Sequence, residues 1–205
     1  EFKQKGYNFR TVYMDVEDES GVSLILEKFI LSSKKKIDIL INNAGITIPK
    51  NSSKYRTSFW DSTININLRG PFLLMREVCE LMKNTGGGSI INITSLNSEL
   101  AFPDNPAYMA SKGGLRQLTK SFALDYGKYG IRVNNIGPGY MKTEMTKKSW
   151  ENEDTRKERS DRTCLGRWGE PDDLMGIAIF LASDASSYIT GQDIYVDGGW
   201  TIKGL

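Results

Sequence analysis

The sequence predicts an α/β fold, a doubly wound parallel sheet forming a single domain over residues 1–205. Three observations carry that expectation. Strand-length apolar runs alternate with helix-length stretches along the whole chain, the pattern of parallel strands joined by right-handed helical crossovers. IDILINNAG (37–45) is nearly continuously apolar before it turns polar, as suits a strand buried on both faces. The strand ends are polar or glycine-rich: DV at 15–16, NNAG at 42–45, TS at 94–95 and GPG at 137–139. Ligands of open parallel sheets bind beyond the carboxyl ends of the strands. Any strand needs a turn, but these ends together favour a shared site.

In chain order, EFKQKGYNFR (1–10) reads as the tail of a helix and FRTVYMDV (9–16) as a strand. ESGVSLILEKFILSS (19–33) has helical periodicity, and 37–45 is the next strand. A long helix is expected around TSFWDSTININLRGPFLLMREVCELMKN (57–84), then a strand at GSIINITS (88–95). AYMASKGGLRQLTKSFALDYGKYG (107–130) is a helix ended by glycine, and RVNNIGPG (132–139) a strand. KSWENEDTRKERSDR (148–162) alternates both charges, as a solvated helix or mobile loop does. GEPDDLMGIAIFLAS (169–183) is a helix with proline in its first turn, and DIYVDGG (193–199) closes the series.

Composition narrows the function classes. An apolar fraction of 39% with 25% charged residues fits a soluble globular chain. The net charge of +2 supplies no electrostatic footprint for nucleic acid or a membrane. Cys79 and Cys164 form no C-x-x-C pair, which argues against a disulfide framework or zinc site and for a reducing, cytoplasmic compartment. No apolar run approaches the roughly 20 residues that span a bilayer, and the first residues are no signal peptide.

The chain has no histidine, so a proton carrier must be sought elsewhere. Tyr108 and Lys112 stand at i and i+4, on one face of the helix expected there. A nearby ammonium favours the phenolate and lowers a pKa that is otherwise near 10, making tyrosine a workable acid or base. Tyr108 is the one tyrosine of nine followed by lysine at this spacing, although both residue types are common on helix surfaces. Ser95, at a strand end, offers a hydroxyl to a carbonyl oxygen as charge develops on it. Asn67 falls inside a helix, where asparagine has no propensity advantage, and if buried it must bind water or backbone.

NNAG, N-x-x-G, a strand-end serine, Y-x-x-x-K, R-V-N-x-I-x-P-G-x-x-x-T and V-D-G-G occur here in this order. The sequence resembles the short-chain dehydrogenase/reductase family, Rossmann-like enzymes of one domain, over essentially its full length. The resemblance implies Tyr108 as general acid or base, Lys112 as its tuner and ribose ligand, Ser95 as carbonyl polariser and Asn67 as holder of a relay water. It implies NAD or NADP as cofactor, without metal. Asp15 and Val16 would lie beside the adenine, and Asn43, Ala44 and Gly45 along the adenosine. Pro138, Gly139, Met141 and Thr143 would lie along the nicotinamide. Each of these has an ordinary alternative as a turn or cap residue.

The family's T-G-x-x-x-G-x-G turn is absent, and NTGGGS (84–89) precedes a strand instead of opening a helix. A truncated chain, lacking a first β-α-β-α portion, is therefore expected. Without that portion dinucleotide binding should be weak, and the strands at 9–16 and 37–45 should lose the central strand between them.

SLNSELA (95–101), PGYMKTEMT (138–146) and GRWGEPDDL (166–174) are similar to the gluconate 5-dehydrogenase and 2-deoxy-D-gluconate 3-dehydrogenase branch. A sugar acid or related polyol is thus the implied small-molecule substrate, with Ser95, Asn97, Glu99, Tyr140 and Arg167 as candidate contacts or, alternatively, plain surface residues. Reduction of 3-oxoacyl-carrier-protein is the alternative activity, and a non-catalytic oligomeric binding protein the rival of another class. Trp60, Phe72, Leu73, Leu74, Met75 and Leu124 exceed what a sheet face covers, and the family commonly forms homodimers or homotetramers through such helices.

Overall fold

The computed structural model describes residue 6 and residues 9–33 and 36–203. Four strands, β1 (Ile39–Asn42), β2 (Gly88–Ile93), β3 (Ile131–Pro138) and β4 (Asp193–Val196), lie parallel in chain order. α1 (Glu19–Ser33) precedes β1, and α2 (Thr57–Ile64) and α3 (Gly70–Lys83) link β1 to β2. α4 (Pro106–Tyr126) links β2 to β3; α5 (Lys147–Glu151), α6 (Glu153–Asp161) and α7 (Met175–Ala182) link β3 to β4. The α/β class with a parallel sheet is as the periodicities predict.

Alternate strand residues point to opposite faces. On one face, Ile90 and Val133 pack beneath Met75, Val78 and Met82 of α3 and Leu115 and Phe122 of α4. On the other, Ile91 and Ile136 meet Leu181 of α7. Each such side chain contributes about 1.5–3 kcal/mol of transfer free energy.

A polar row crosses the α4 face. Asn42, Asn92, Asn135 and Asp193 are register partners on successive strands. Asn42 Nδ2 donates to Asn92 Oδ1 (2.8 Å), and Asn92 Nδ2 to Thr119 Oγ1 on α4 (2.8 Å). Thr119 donates to Asn135 Oδ1 (2.6 Å), and Asn135 Nδ2 to Asp193 Oδ1 (2.7 Å). Arg116, also on α4, closes the row on Asp193 Oδ2 at 2.8 Å. Buried amides stay inside because they find partners, and in this row only Asn42 Oδ1 has none among the described residues.

Four expectations need correction. Residues 9–16 form no strand: a strand exists by pairing, none neighbours them among the described residues, and Val12 and Tyr13 are 62% and 89% exposed. The segment at 37–45 is not buried on both faces. β1 is an edge strand, and α7 packs on β2 and β3, leaving Ile39 and Ile41 about half exposed.

The helix over 57–84 is interrupted by a π turn at Asn65–Arg69, where Gly70 N–H donates to Asn65 C=O. Pro71 explains the break: it has no N–H for the carbonyl four residues back and crowds it. Leu73, Leu74 and Met75 are buried, not surplus surface, while Trp60, Phe72 and Leu124 stay exposed.

The charged stretch at 148–162 is helical, as α5 and α6. The helix tail expected over 1–10 falls, apart from Gly6, Phe9 and Arg10, outside the described residues. No described helix is long and apolar enough to cross a membrane.

Thr119→Val keeps volume but leaves one N–H of the Asn92 amide, whose other acceptor is Met75 Sδ, and the Asn135 carbonyl oxygen unpaired. Leaving such buried groups unpaired costs about 1–3 kcal/mol each. Urea denaturation should therefore show a loss of at least about 2 kcal/mol; a change below 0.5 kcal/mol, the usual size at a neutral surface site, would deny the row its role.

Candidate active site

The carboxyl ends of β1, β2 and β3 release Asn43–Gly45, Ser95 and Gly139–Thr143 on one edge of the sheet. The first turns of α4 bring Tyr108 and Lys112 there. Lys112 is buried at 4% exposure and donates its ammonium to the Ile93 carbonyl (2.6 Å) at the end of β2. Its Nζ lies over the Tyr108 ring, 5.6 Å from the centroid.

Burial pushes the Tyr108 phenol above its ordinary value, and a hydrogen bond with Ser95 draws it back. The lysine sits over the ring and not beside the hydroxyl, so burial, not the expected ammonium effect, dominates here. Burial also lowers Lys112 to about 8. Ser95 Oγ further accepts from Asn97 N–H and donates to Asn97 Oδ1, both at 3.2 Å, which fixes the hydroxyl at the start of a short 3-10 turn.

Asn67 is fully buried within the π turn. Its amide donates to Ile46 C=O and accepts from Ile46 N–H, each at 2.8 Å, and donates to Ser111 Oγ at 3.2 Å. Ser111 in turn donates to Tyr108 C=O at 2.7 Å. Asn67 thereby ties the loop after β1 to the first turns of α4. Sequence reasoning overlooked Ser111, whose one signal was a small polar residue three positions after Tyr108.

A Cβ on Gly45 would stand 3.4 Å from Asn67 Oδ1 and 3.7 Å from Lys112 Nζ, filling the space before the ammonium. Lys112 uses one of its three donors among the described residues. A ribose hydroxyl suits the others, so these residues fit a dinucleotide.

Asp15 accepts from Glu17 N–H at 2.9 Å, and Val16 packs against Gly70, where a Cβ would approach it to 2.9 Å. Past β3, Gly139 N–H donates to Val196 C=O, and a Cβ there would meet the Asp197 backbone at 2.7 Å, so only glycine fits. Met141 bridges Gly169, and Thr143 opens the next turn through Thr146 Oγ1 (3.1 Å). A cavity of about 140 Å³ behind this segment is lined by Tyr140, Arg167 and Asp197, not by Tyr108 or Ser95.

Two candidate substrate contacts are already engaged. Glu99 pairs with Arg116 at 2.5 Å. Arg167 forks onto Asp173 at 2.7 and 2.9 Å, which holds that carboxyl far below its usual range.

Residues 2–201 match a family model described as Enoyl-(Acyl carrier protein) reductase. The chain belongs to the short-chain dehydrogenase/reductase family. Within that family it is 40% identical to the 2-dehydro-3-deoxy-D-gluconate 5-dehydrogenase of Dickeya dadantii, over 97% of this chain and 78% of that one. To the gluconate 5-dehydrogenase of Gluconobacter oxydans it is 38% identical, over 98% and 78%. A solved short-chain dehydrogenase, the gluconate 5-dehydrogenase of Burkholderia cenocepacia in complex with NADP and tartrate, superposes with a TM-score of 0.96 at 37% identity, covering 99% and 79%.

The buried ammonium makes stability depend on pH. Unfolded lysine keeps its proton to about 10.4, whereas folded Lys112 releases it near about 8. Between those values the unfolded chain binds more protons, so stability rises with pH. Urea midpoints should rise from pH 8 to pH 10.5 more in the native chain than in Lys112→Met; parallel curves would contradict the lowered value.

Proposed function

We propose that this NAD(P)-dependent oxidoreductase interconverts a secondary alcohol and a ketone on a small sugar acid. The observation that carries it is the half-buried Tyr108 at the sheet edge, on the first turns of α4 with Lys112 beneath its ring and Ser95 acting on its phenol. A substrate oxygen placed between them would take the Ser95 proton in place of Asn97 Oδ1 and face the Tyr108 hydroxyl. In reduction Tyr108 gives its proton to the carbonyl oxygen while Ser95 donates a hydrogen bond to the developing charge. In oxidation Tyr108 takes the alcohol proton.

Lys112 and Gly45 are placed to hold the nicotinamide ribose, with Asp15 and Val16 at the adenine and Asn43 and Ala44 along the adenosine. Pro138, Gly139, Met141 and Thr143 border the nicotinamide. The nicotinamide, NAD or NADP, supplies or receives the hydride. Asn67, tied to Ile46 and Ser111, holds the α4 end of a proton path toward Lys112. Ser95, Asn97 and Tyr140 remain substrate contacts. The sugar-acid reading is supported by relatives that act on gluconate derivatives and by tartrate, a hydroxy acid, in one of them.

A relative described as a 3-oxoacyl-[acyl-carrier-protein] reductase, 38% identical over 92% of this chain, supports a second reading, reduction of the 3-oxo group of an acyl-carrier-protein thioester. A dinucleotide-coupled screen separates the two: turnover of gluconate or ketogluconates supports the first, and turnover of acyl thioesters alone the second. Tyr108→Phe should lower kcat by about 10²–10⁴ while dinucleotide binding persists. Turnover unchanged by Tyr108→Phe would assign the chain a binding role instead.

A homodimer or homotetramer completes this reading. Ile64, Leu68, Phe72, Gly114 and Leu118 border an open apolar groove between the helices, suited to a second copy. Light scattering at micromolar concentration should give a dimer or larger; a monomer would overturn this assembly.

A further inference from the structure

Four aromatic rings delivered by separate segments meet beyond β3 and β4. Tyr140 lies 4.9 Å from Trp200, 5.4 Å from Trp168 and 6.3 Å from Phe102, centroid to centroid. Trp168 and Trp200 are buried, at 3% and 6% exposure. The end of α6 rests on this platform. Arg159 places its guanidinium carbon 4.1 Å from the Tyr140 centroid and 5.7 Å from that of Trp168. Arg162, three positions on, lies 5.4 Å from the Trp200 centroid. Trp168 Nε1 donates to Arg156 C=O (3.1 Å), fastening the helix to the platform.

An aromatic face holds a guanidinium by its flat side and takes none of its N–H donors, which stay arrayed around the rim. Arg69, Arg76, Arg116 and Arg167 each meet a carboxylate. Arg159 and Arg162 meet none among the described residues. Asp161, their acidic neighbour, is held by Lys157 at 2.9 Å, and Glu158 is exposed to solvent.

Tyr140 connects this pair to the chemistry. It stands two positions past the end of β3, on the sheet edge where the end of β2 and the first turns of α4 also lie, and its ring carries Arg159. Arg167, the arginine that the sequence suggested for a substrate acid, is already forked onto Asp173.

We propose that Arg159 and Arg162 form a two-guanidinium clamp that binds the carboxylate of the substrate, with Tyr140 between the clamp and the reacting carbon. This rests on the sugar-acid reading and adds the residues that select the acid over its uncharged counterpart. Two planar forks held on a rigid surface match a carboxylate better than mobile lysines would.

The test compares D-gluconate with D-gluconamide, which has the same carbon chain and no charge, in the native chain, Arg159→Met, Arg162→Met and the double variant. Methionine keeps an apolar stem on the rings. Charge-assisted hydrogen bonds of about 1.5–3 kcal/mol correspond to about a 10–100-fold loss in kcat/KM for gluconate in the double variant, through KM. Gluconamide should change less than about threefold on the same scale. Titration of tryptophan fluorescence with gluconate should show the same loss of binding without turnover.

Arg159→Lys, which keeps the charge but not the fork, should fall between and guards against misfolding of the methionine variants. Equal losses for gluconate and gluconamide, or none for either, would overturn the clamp while leaving the sugar-acid reading intact. A native chain that turns over acyl thioesters and no sugar acid would overturn that reading, and the clamp with it.

Discussion

Thr119 accepts a hydrogen bond from Asn92 and donates one to Asn135, and through these two bonds α4 is registered on the sheet to within a residue. The apolar contacts around it are non-directional and would tolerate a slide. Hydrogen bonds to fixed partners would not. Tyr108, Lys112, Arg116 and Thr119 follow one face of the helix, so the register set at Thr119 reaches the phenol about 16 Å away. Arg116 repeats the lock on Asp193 and Glu99. The position of the Tyr108 side chain is thus decided inside the core, two to three turns along α4.

Carrying a lysine into that core has a cost that the site turns to use. The ammonium is desolvated, which strengthens its interaction with any oxygen placed before it. Ile93 C=O satisfies part of its hydrogen-bonding capacity and sets its direction. Ser95 acts in the opposite sense to burial on Tyr108, easing a phenol that burial alone would hold protonated. The Ile93 carbonyl and Ser95 therefore do more to define the site than the direct approach of lysine to tyrosine.

The α/β class, the bounds of α1 and the shared helix of Tyr108 and Lys112 were legible in the sequence because they depend on local periodicity and spacing, whereas Ser95 and Asn67 were joined to them only by the family resemblance. Residues 9–16 were misread because a strand is a property of a pair, and no composition reveals whether the neighbour is there. The engagement of Arg167 was hidden for a similar reason: Asp173 lies in a different turn, and only the fold brings the fork and the carboxylate together. Arg159 and Arg162, at the end of α6, looked like ordinary solvated charge because the rings they lie over come from residues 140, 168 and 200.

The π turn at Asn65–Arg69 also acts as a phase shift. One extra residue in a helix of about 3.6 per turn rotates everything after it by about 100°. The apolar stripe of α2 and that of α3 are therefore counted on different clocks, although the two helices run nearly continuously in the chain. A single-residue deletion in this turn would bring them back into step, turning the outer face of one helix toward the interior of the other. The widened turn that cradles Asn67 is what lets one stretch of chain face the core beside β2 and, a turn earlier, face outward.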